Sequence, residues 1–214
     1  MTPENTLVEI RAEIAQCKKC PLASGRKNTV PGEGPQDAEI MFIGEGPGFY
    51  ENEQGLPFVG QAGKFLDELL ASAGLNRENV FITNVVKCRP PGNRDPEPSE
   101  LEACASFLDG QIAAIDPKVI VTLGRHSMGK YLPNAKISSI HGKSAWVKGQ
   151  LIVAMYHPAA GLHQPKLKSV IMDDFRKLPE IIEQAKKSES IRKASHQFEE
   201  EETQNDDPTQ LSFF

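Results

Sequence analysis

Short apolar runs alternate with amphipathic segments along most of this chain, and that alternation limits the folds it can adopt. Apolar runs typical of buried strands span 38–44, 79–86, 118–124 and 150–158. Helical spacing of apolar residues predicts helices over 4–16, 62–74, 98–116 and 169–187, the last with a break at Pro179, and a short helix begins at His126. Strands that alternate with helices predict an α/β layered fold with a mainly parallel sheet.

Three segments that follow predicted strands carry unusual chemistry. They are GEGPG (44–48), TNVVKCRPPGNR (83–94) and YHPAAG (156–161). Ligands of open parallel sheets bind beyond the carboxyl ends of the strands. We therefore expect these segments to meet at one edge of the sheet.

The stretch from 44 to 63 is crowded with glycine, which occupies six of its 20 positions. Glycine after a strand lets backbone approach a ligand closely. A dinucleotide fingerprint needs G-x-G-x-x-G at the start of a helix, whereas here the order is G-x-G-P-G and no helix is predicted before residue 60. Glu45 would also repel a phosphate. Two interpretations remain, a turn without function and a slot for a flat, neutral ligand in which Glu45 handles a water or a proton.

The four cysteines indicate one metal centre. Cys17 and Cys20 form C-x2-C, while Cys88 follows a predicted strand and Cys104 lies in the next helix. Zinc and a [4Fe–4S] cluster both accept four thiolates. The wide spacing of the second pair favours the larger cluster, and four buried structural cysteines are the alternative.

Three further residues are candidates for binding or catalysis because of their positions relative to the predicted strands and the glycine-rich stretch. His157 ends an apolar strand and precedes proline, so its ring can stabilise charge on a leaving group at the sheet edge, and a structural histidine is the alternative. Asn84 ends another strand, and an amide both donates and accepts hydrogen bonds, as reading a base edge requires. Phe58 is an aromatic residue among glycines, for which core packing is the alternative.

Charge and composition restrict the class of protein. Six of the 29 acidic residues lie in 199–214, so the remainder of the chain is nearly neutral and can bind nucleic acid. No apolar run approaches a membrane span, and the start lacks the pattern of a signal peptide, which predicts a cytoplasmic protein. We expect one domain over 1–187 and an acidic, disordered tail over 188–214.

Taken together, GEGPG, LPFVGQAG, TNVVKCRPPGNR, the four cysteines and HPAA resemble the type 4 uracil-DNA glycosylases, which carry an iron–sulfur cluster. The resemblance covers roughly residues 10–180. It implies a three-layer α/β/α sandwich with a central, mainly parallel sheet. It also implies a monomeric repair enzyme that flips uracil out of single- or double-stranded DNA and hydrolyses its N-glycosidic bond, leaving an abasic site with no strand cut.

The same resemblance implies roles for individual residues. Phe58 stacks on uracil, Asn84 binds its Watson–Crick edge, and Glu51 is a wall against the thymine methyl. His157 stabilises uracil O2 during bond cleavage. Gly44 and Gly46 let backbone close around the base, and the attacking water lies near Glu45 and Gly46. Since Gly46 stands where the related type 1 enzymes have an aspartate, Glu45 is either a general base or a residue that only orients water. The [4Fe–4S] ligands are Cys17, Cys20, Cys88 and Cys104.

Other functions predict different features. A covalent, single-strand-capturing relative has an inserted basic loop with a reactive histidine, whereas RPPGNRDPEPSE (89–100) has neither, which favours turnover. An iron–sulfur electron carrier would leave Glu45, Asn84 and His157 without a purpose. A nucleic-acid-binding module without chemistry would release no uracil.

Two segments outside the pocket suggest contacts with macromolecules. In HPAAGLHQPKLK (157–168), Leu162 can fill the gap left by a flipped base, and Lys166 and Lys168 can hold phosphates; an ordinary loop at the rim of the cleft is the alternative. The sequence ends in TQLSFF, where Gln210, Leu211, Phe213 and Phe214 resemble the short peptides that dock bacterial proteins onto the sliding clamp; a tail that folds back on the domain or has no function is the alternative.

Overall fold

The computed structural model describes the backbone of residues 3–205 and the side-chain surroundings of residues 6–188. Within that part of the chain the strands are β1 (Ile40–Gly44), β2 (Phe81–Asn84), β3 (Val119–Leu123), β4 (Lys143–Val147) and β5 (Gln150–Met155). The helices are α1 (Pro3–Gln16), α2 (Leu22–Gly25), α3 (Phe49–Gln54), α4 (Gln61–Ser72), α5 (Pro98–Ile115), α6 (Arg125–Gly129), α7 (Ile137–Ile140), α8 (Pro158–His163) and α9 (Pro165–Asn205).

The strands form one sheet in the order β2-β1-β3-β5-β4. All neighbours are parallel except β4, which runs antiparallel to β5 at the edge. The sheet is therefore mainly parallel, as the alternation of strands and helices predicts. Chain order reverses direction around β1 and β3, which is where ligands bind in open α/β sheets.

Helices cover both faces of the sheet, because residues along each strand point alternately to opposite sides. On one face Phe42 and Val121 pack with Leu66 of α4 and Phe175 of α9. The other face buries its own apolar residues against α5, and α1 packs on the outside of α5. This arrangement is the three-layer α/β/α sandwich that the family resemblance implies.

The structure differs from the sequence-based prediction at several elements. The hairpin strand β4 was not predicted, since only its second half is apolar; its two-residue turn, Lys148 and Gly149, has positive φ at both positions. Helix α3 was not predicted either, because six largely polar residues carry no helical pattern. It begins where Glu51 accepts a hydrogen bond from the Gly48 N–H at 3.1 Å.

Helix α9 is longer than the helix predicted over 169–187. It continues through Pro179 because Leu178 and Ile182, on either side, are both buried against the sheet. Its backbone stays helical to Asn205, past residue 188 where the acidic tail is predicted to begin. The residues of the proposed clamp peptide lie outside the described part of the chain. Among the described residues, no helix combines the length and the apolar character needed to cross a bilayer.

Candidate active site

A cleft of about 390 Å³ lies at the carboxyl edge of the sheet. It is formed by the loop after β1, the loop after β2 and the residues between β5 and α8, which are the three segments that the sequence predicts to meet. Its lining includes six of the predicted site residues: Glu45, Gly46, Glu51, Phe58, Asn84 and His157. Gly44, the remaining residue predicted to contact the base, lies against Asn84 and Phe58.

Gly44 ends β1 beside Asn84, its registered partner on β2. A Cβ atom on Gly44 would come within 2.4 Å of the Asn84 Oδ1 and 2.6 Å of the Phe58 ring. Any other residue at this position would therefore displace both side chains. The packing of Asn84 and Phe58 in the floor of the cleft therefore requires glycine at position 44.

Asn84 carries a buried polar atom without a partner. The residue is 1% exposed, and its Oδ1 accepts no hydrogen bond in the described structure. An unsatisfied buried oxygen of this kind costs about 1–3 kcal/mol. Its position in the floor of a cleft indicates an amide that is held ready for a ligand.

Phe58 is held in an unfavourable backbone conformation. Its φ is +51°, which side chains other than glycine rarely adopt. Two contacts fix it there: Arg77 donates to the carbonyls of Pro57 and Phe58, and the Phe58 backbone lies against the first turn of α4 at Gly63. As a result the Phe58 ring stacks beside His157, with centroids 5.6 Å apart and planes 27° apart.

His157 has a defined protonation state. The residue caps α8, and its Nδ1 accepts a hydrogen bond from the Ala159 N–H at 3.1 Å. The ring is packed against Phe58, and the loss of hydration lowers the pKa of His157 to about 4, against a smaller opposing effect of Glu51. At neutral pH the imidazole is therefore uncharged and carries its proton on Nε2, where it can donate to a substrate.

Glu51 organises the glycine-rich loop. Its carboxylate accepts hydrogen bonds from the backbone N–H groups of Gly48, Val59 and Gly60 at 3.1, 2.8 and 2.9 Å. These contacts occupy the start of α3 with a carboxylate, so no phosphate can bind there. They also hold the Glu51 side chain rigidly at the cleft wall.

Glu45 lies at the mouth of the cleft, beside His126 of α6. Its Oε2 is 3.7 Å from the His126 Nε2. Burial raises the pKa of Glu45 above its ordinary value, and the nearby imidazole opposes this effect. The carboxylate is thus close to a titratable partner that sequence analysis did not single out.

The four cysteines line one cavity, which lies on the other side of the β2–α5 connection from the cleft. Cys17 and Cys20 follow α1, Cys88 follows β2, and Cys104 is on α5. The cavity wall is otherwise largely apolar and includes Ile14, Leu22, Val86 and Phe107. Burial raises the pKa of the Cys88 and Cys104 thiols, while Arg26, which donates to the Cys88 Sγ at 3.4 Å, and Lys87 oppose this.

A buried lysine connects this cavity with the cleft. Lys87 is 1% exposed, and its Nζ donates to the Thr83 hydroxyl, the Asn84 carbonyl and the Gln111 Oε1 at 2.6, 2.8 and 2.7 Å. Burial lowers the pKa of Lys87 to about 7. The network ties the end of β2, which carries Asn84, to α5, which carries Cys104.

The predicted DNA-contacting residues lie on α8 and α9. Leu162 is 43% exposed, which is unusual for a leucine on a helix that packs on the core. Lys166 is exposed, and the Lys168 Nζ lies 5.0 Å from the centre of the Phe65 ring. Lys168 is thus partly engaged with the protein, whereas Leu162 and Lys166 face solvent.

Sequence analysis missed Arg94, which lines the cleft. Its guanidinium forms a two-pronged pair with Glu100, at 2.8 and 2.7 Å, and Glu100 is fully buried. The motif PPGNR contains this arginine, but only the fold shows that a buried carboxylate holds it at the cleft. A fixed guanidinium in such a place is suited to binding phosphate.

A cleft at the carboxyl edge of the sheet, lined by an unpartnered amide oxygen and by the stacked rings of Phe58 and His157, is suited to a flat, uncharged ligand. The sequence profile described as "Uracil DNA glycosylase superfamily" matches residues 31–178, so the chain belongs to that superfamily. The match contains the whole of the cleft.

Curated relatives narrow the assignment. A type-4 uracil-DNA glycosylase of Sulfurisphaera tokodaii is 49% identical over 83% of this chain and 85% of its own length. The type-4 enzyme of Archaeoglobus fulgidus is 47% identical over 82% and 93%, and that of Thermotoga maritima 42% identical over 85% and 98%. The chain is a type-4 uracil-DNA glycosylase, a hydrolase of N-glycosyl bonds that removes uracil from DNA in repair.

Proposed function

We propose that the cleft binds a flipped uracil with Asn84 on its Watson–Crick edge and Phe58 on its face. The observation that carries this proposal is the buried Asn84 Oδ1 without a partner. The uracil N3–H is a donor and O4 an acceptor, so one amide satisfies both. Cytosine presents an acceptor at N3 and a donor at N4, which would face the amide with like groups.

Glu51 then excludes thymine. Its carboxylate is fixed by three backbone N–H groups, so it cannot move aside for an added methyl at low cost. A hydrophobic pocket alone separates substrates that differ by one methylene by only about 10–200-fold. A rigid polar wall gives a larger penalty, because the methyl would also remove hydration from the carboxylate.

His157 and Glu45 act on the bond that breaks. Cleavage places negative charge on the uracil ring, and the neutral His157 donates its Nε2 proton toward O2 as that charge develops. The positive charge develops on the sugar, where the Glu45 carboxylate attracts it and orients the attacking water. Gly46 lines the cleft beside Glu45, and its backbone packs so closely on Val86 that a Cβ atom there would come within 2.8 Å of the Val86 Cγ2.

A release assay tests these assignments. The wild-type enzyme should liberate free uracil from an oligonucleotide with one uracil, leaving a strand that breaks only on alkali treatment, and should spare matched cytosine and thymine oligonucleotides. Asn84→Ala should lower single-turnover release by ~10²-fold or more, as loss of a substrate-reading hydrogen bond in a dry site does. Undiminished release by that variant would contradict the assignment of the cleft.

The four-cysteine cavity holds the cofactor in this proposal, a [4Fe–4S] cluster. Tetrahedral zinc with Zn–S of about 2.3 Å needs sulfurs about 3.8 Å apart. Among the described residues, no three thiols lie within 4.8 Å of one another, a spacing that favours the wider cluster. Freshly purified protein should then be brown and contain iron; stoichiometric zinc in colourless, active protein would contradict the proposal.

The α8 helix is the proposed wedge. Leu162 would fill the gap in the duplex left by the flipped base, and Lys166, with Lys168, would bind phosphates. Leu162→Ala should slow release from duplex more than from single strands, where no stack has to be opened. Val8→Ala, which truncates another exposed aliphatic residue (63% exposed), is the control. Equal losses on both substrates would count against a wedge.

The chain's end is proposed to bind the host's sliding clamp through Gln210, Leu211, Phe213 and Phe214. The resemblance of this segment to bacterial clamp-binding peptides supports the proposal. Deletion of 204–214 should leave release from short oligonucleotides unchanged and abolish clamp binding. Calorimetric titration of the tail peptide against the clamp decides it, and absence of heat at high micromolar concentration would refute it. The enzyme is expected to act as a monomer.

A further inference from the structure

A group of charged side chains surrounds the outer side of Glu45. We call Asp95, Arg125 and His126 the charged cluster. Asp95 lies between β2 and α5, and the other two begin α6 immediately after β3. The His126 Nε2 is 3.7 Å from the Glu45 Oε2 and 3.5 Å from the Asp95 Oδ1. Three different loops thus meet at one imidazole.

Arg125 completes the charged cluster on its solvent side. Its Nε lies 3.1 Å from the His126 Nε2, and its Nη2 contacts the Asp95 Oδ2. The arrangement has a gradient of exposure, since the side chains of His126 and Glu45 are 18% and 29% exposed and those of Asp95 and Arg125 are 55% and 63% exposed. The inner pair is therefore largely removed from water, and the outer pair sets its electrostatic surroundings.

The backbone places α6 against both catalytic residues. Gly124, which precedes α6, has φ of +90° and donates to the Met155 carbonyl of β5 at 2.8 Å. A Cβ atom there would be 3.1 Å from the His157 Cβ. The same turn thus packs beside His157 and presents His126 to Glu45.

We propose that His126 is a positioning residue for Glu45, whose carboxylate it keeps ionised and oriented, and that Asp95 and Arg125 tune this interaction. The proposal rests on the role of Glu45 proposed above. Burial raises the pKa of Glu45, and the His126 ring, whose Nε2 is 3.7 Å from the carboxylate, opposes that rise and limits how the carboxylate can turn. The activity would then extend to lower pH than Glu45 alone permits.

The direction of each neighbour's influence supports this. Burial raises the pKa of Glu45, His126 and Arg125 oppose that rise, and Asp95 adds to it. His126 and Arg125 reach the carboxylate from α6, and Asp95 from the connection between β2 and α5. Coordination of a metal ion by Glu45, Asp95 and His126 is less favoured, because the Arg125 guanidinium already supplies a positive charge at the same place.

The test is the pH profile of single-turnover uracil release by the full-length enzyme at saturating enzyme concentration. His126→Gln should move the acid limb to higher pH by about half a unit, as expected for a partly screened charge about 4 Å away. Asp95→Asn should move it to lower pH, and Arg125→Gln should move it upward by less. Shifts of the acid limb in opposite directions for the His126 and Asp95 variants cannot arise from a general loss of packing.

The control variant is Lys130→Gln, which removes the same charge as Arg125→Gln close by on the chain. Lys130 is paired with Asp109 at 2.7 Å instead of with the charged cluster, so its loss should leave the acid limb in place. Added salt should reduce the shifts of the cluster variants, and a chelator should change nothing.

The outcomes separate the two proposals. If Glu45→Gln lowers release but the His126 and Asp95 variants show no shift, or shift in the same direction, the positioning role is refuted and the role of Glu45 stands. If Glu45→Gln releases uracil at the wild-type rate, the proposed role of Glu45 fails. Loss of activity with a chelator, restored by a divalent cation, would overturn the positioning role in favour of a metal site.

Discussion

His157 illustrates how a single side chain acquires its chemistry from its neighbours. Its Nδ1 accepts the hydrogen bond from the Ala159 N–H that caps α8, and the Phe58 ring shields one face of the imidazole from water. What remains is a neutral donor on Nε2. A neutral donor interacts weakly with uncharged uracil and strongly with the uracil anion, which is the requirement for lowering a barrier.

The first prediction concerns the rate. His157→Ala should lower single-turnover release by ~10²–10³-fold, the usual cost of an electrostatic contact made in the transition state. Binding of a uracil-containing oligonucleotide should weaken little, since the contact strengthens only as the bond breaks. Fluorescence anisotropy of the complex measures the binding separately. A loss confined to binding would contradict the role of His157.

The second prediction concerns stability. Because the pKa of His157 is lowered to about 4 in the folded enzyme, an unfolded chain takes up a proton at this position between pH 6.5 and 4 that the folded enzyme does not. Stability should therefore fall as the pH drops through that range, by at most ~3 kcal/mol. Denaturant unfolding at several pH values measures it. His157→Gln should flatten this part of the profile, and an unchanged slope would contradict the assignment.

Among the structural elements, α4 matters for the site because its first turn supports Phe58. Gly63 is the third residue of α4, and a Cβ atom there would lie 1.9 Å from the Phe58 carbonyl oxygen. The backbone of Phe58 and this turn are therefore in direct contact. The strained φ of Phe58 is maintained by this contact and by Arg77.

The third prediction follows from that contact. Gly63→Ala should displace Phe58 and reduce uracil release by at least tenfold, because a catalytic group or substrate moved by ~1 Å can cost 10²-fold. Gly129→Ala is the matched control, since nothing lies within 4 Å of the Cβ it would add on α6. Thermal unfolding of both variants separates a local displacement from loss of fold. Full activity of Gly63→Ala would show that Phe58 does not need this position.

At the scale of the whole molecule, the β2–α5 connection joins the cysteine cavity to the cleft. One side of this segment carries the cysteine cavity, and the other carries Asn84 and Arg94. Lys87 joins Asn84 to α5, and Glu100, which lines the cavity, holds Arg94 at the cleft. A metal centre in the cavity would therefore stabilise the elements that carry Asn84 and Arg94, the residues proposed to contact the base and a phosphate.

The fourth prediction concerns this coupling. Cys17→Ser should lower the iron content and the melting temperature together, because a metal bound only by the folded chain contributes its binding free energy to folding. Uracil release should fall mainly through weaker DNA binding, since Cys17 lines no part of the cleft. Ser24→Ala, a change on the exposed side of α2, is the control. A variant that lost iron but kept its melting temperature would show that the cavity is not a structural centre.

The convergence of the candidate site residues in one cleft could be predicted from the sequence because the motifs that carry them are local. Glycine at 44, the amide at 84 and the histidine at 157 each follow an apolar strand, and parallel strands bring their carboxyl ends to one edge. The alternation of strands and helices likewise predicted the layered fold. These inferences need only local patterns and the geometry of a parallel sheet.

Other features depend on contacts between segments distant in the chain, which no local pattern encodes. Helix α3 forms because Glu51 binds backbone groups eight and nine residues away as well as its own first turn. The neutral state of His157 depends on Phe58, almost 100 residues earlier, and the position of Arg94 on the burial of Glu100. The surroundings of Glu45 arise only where three loops meet. Burial and hydrogen bonding set protonation states, and both are properties of the packed molecule.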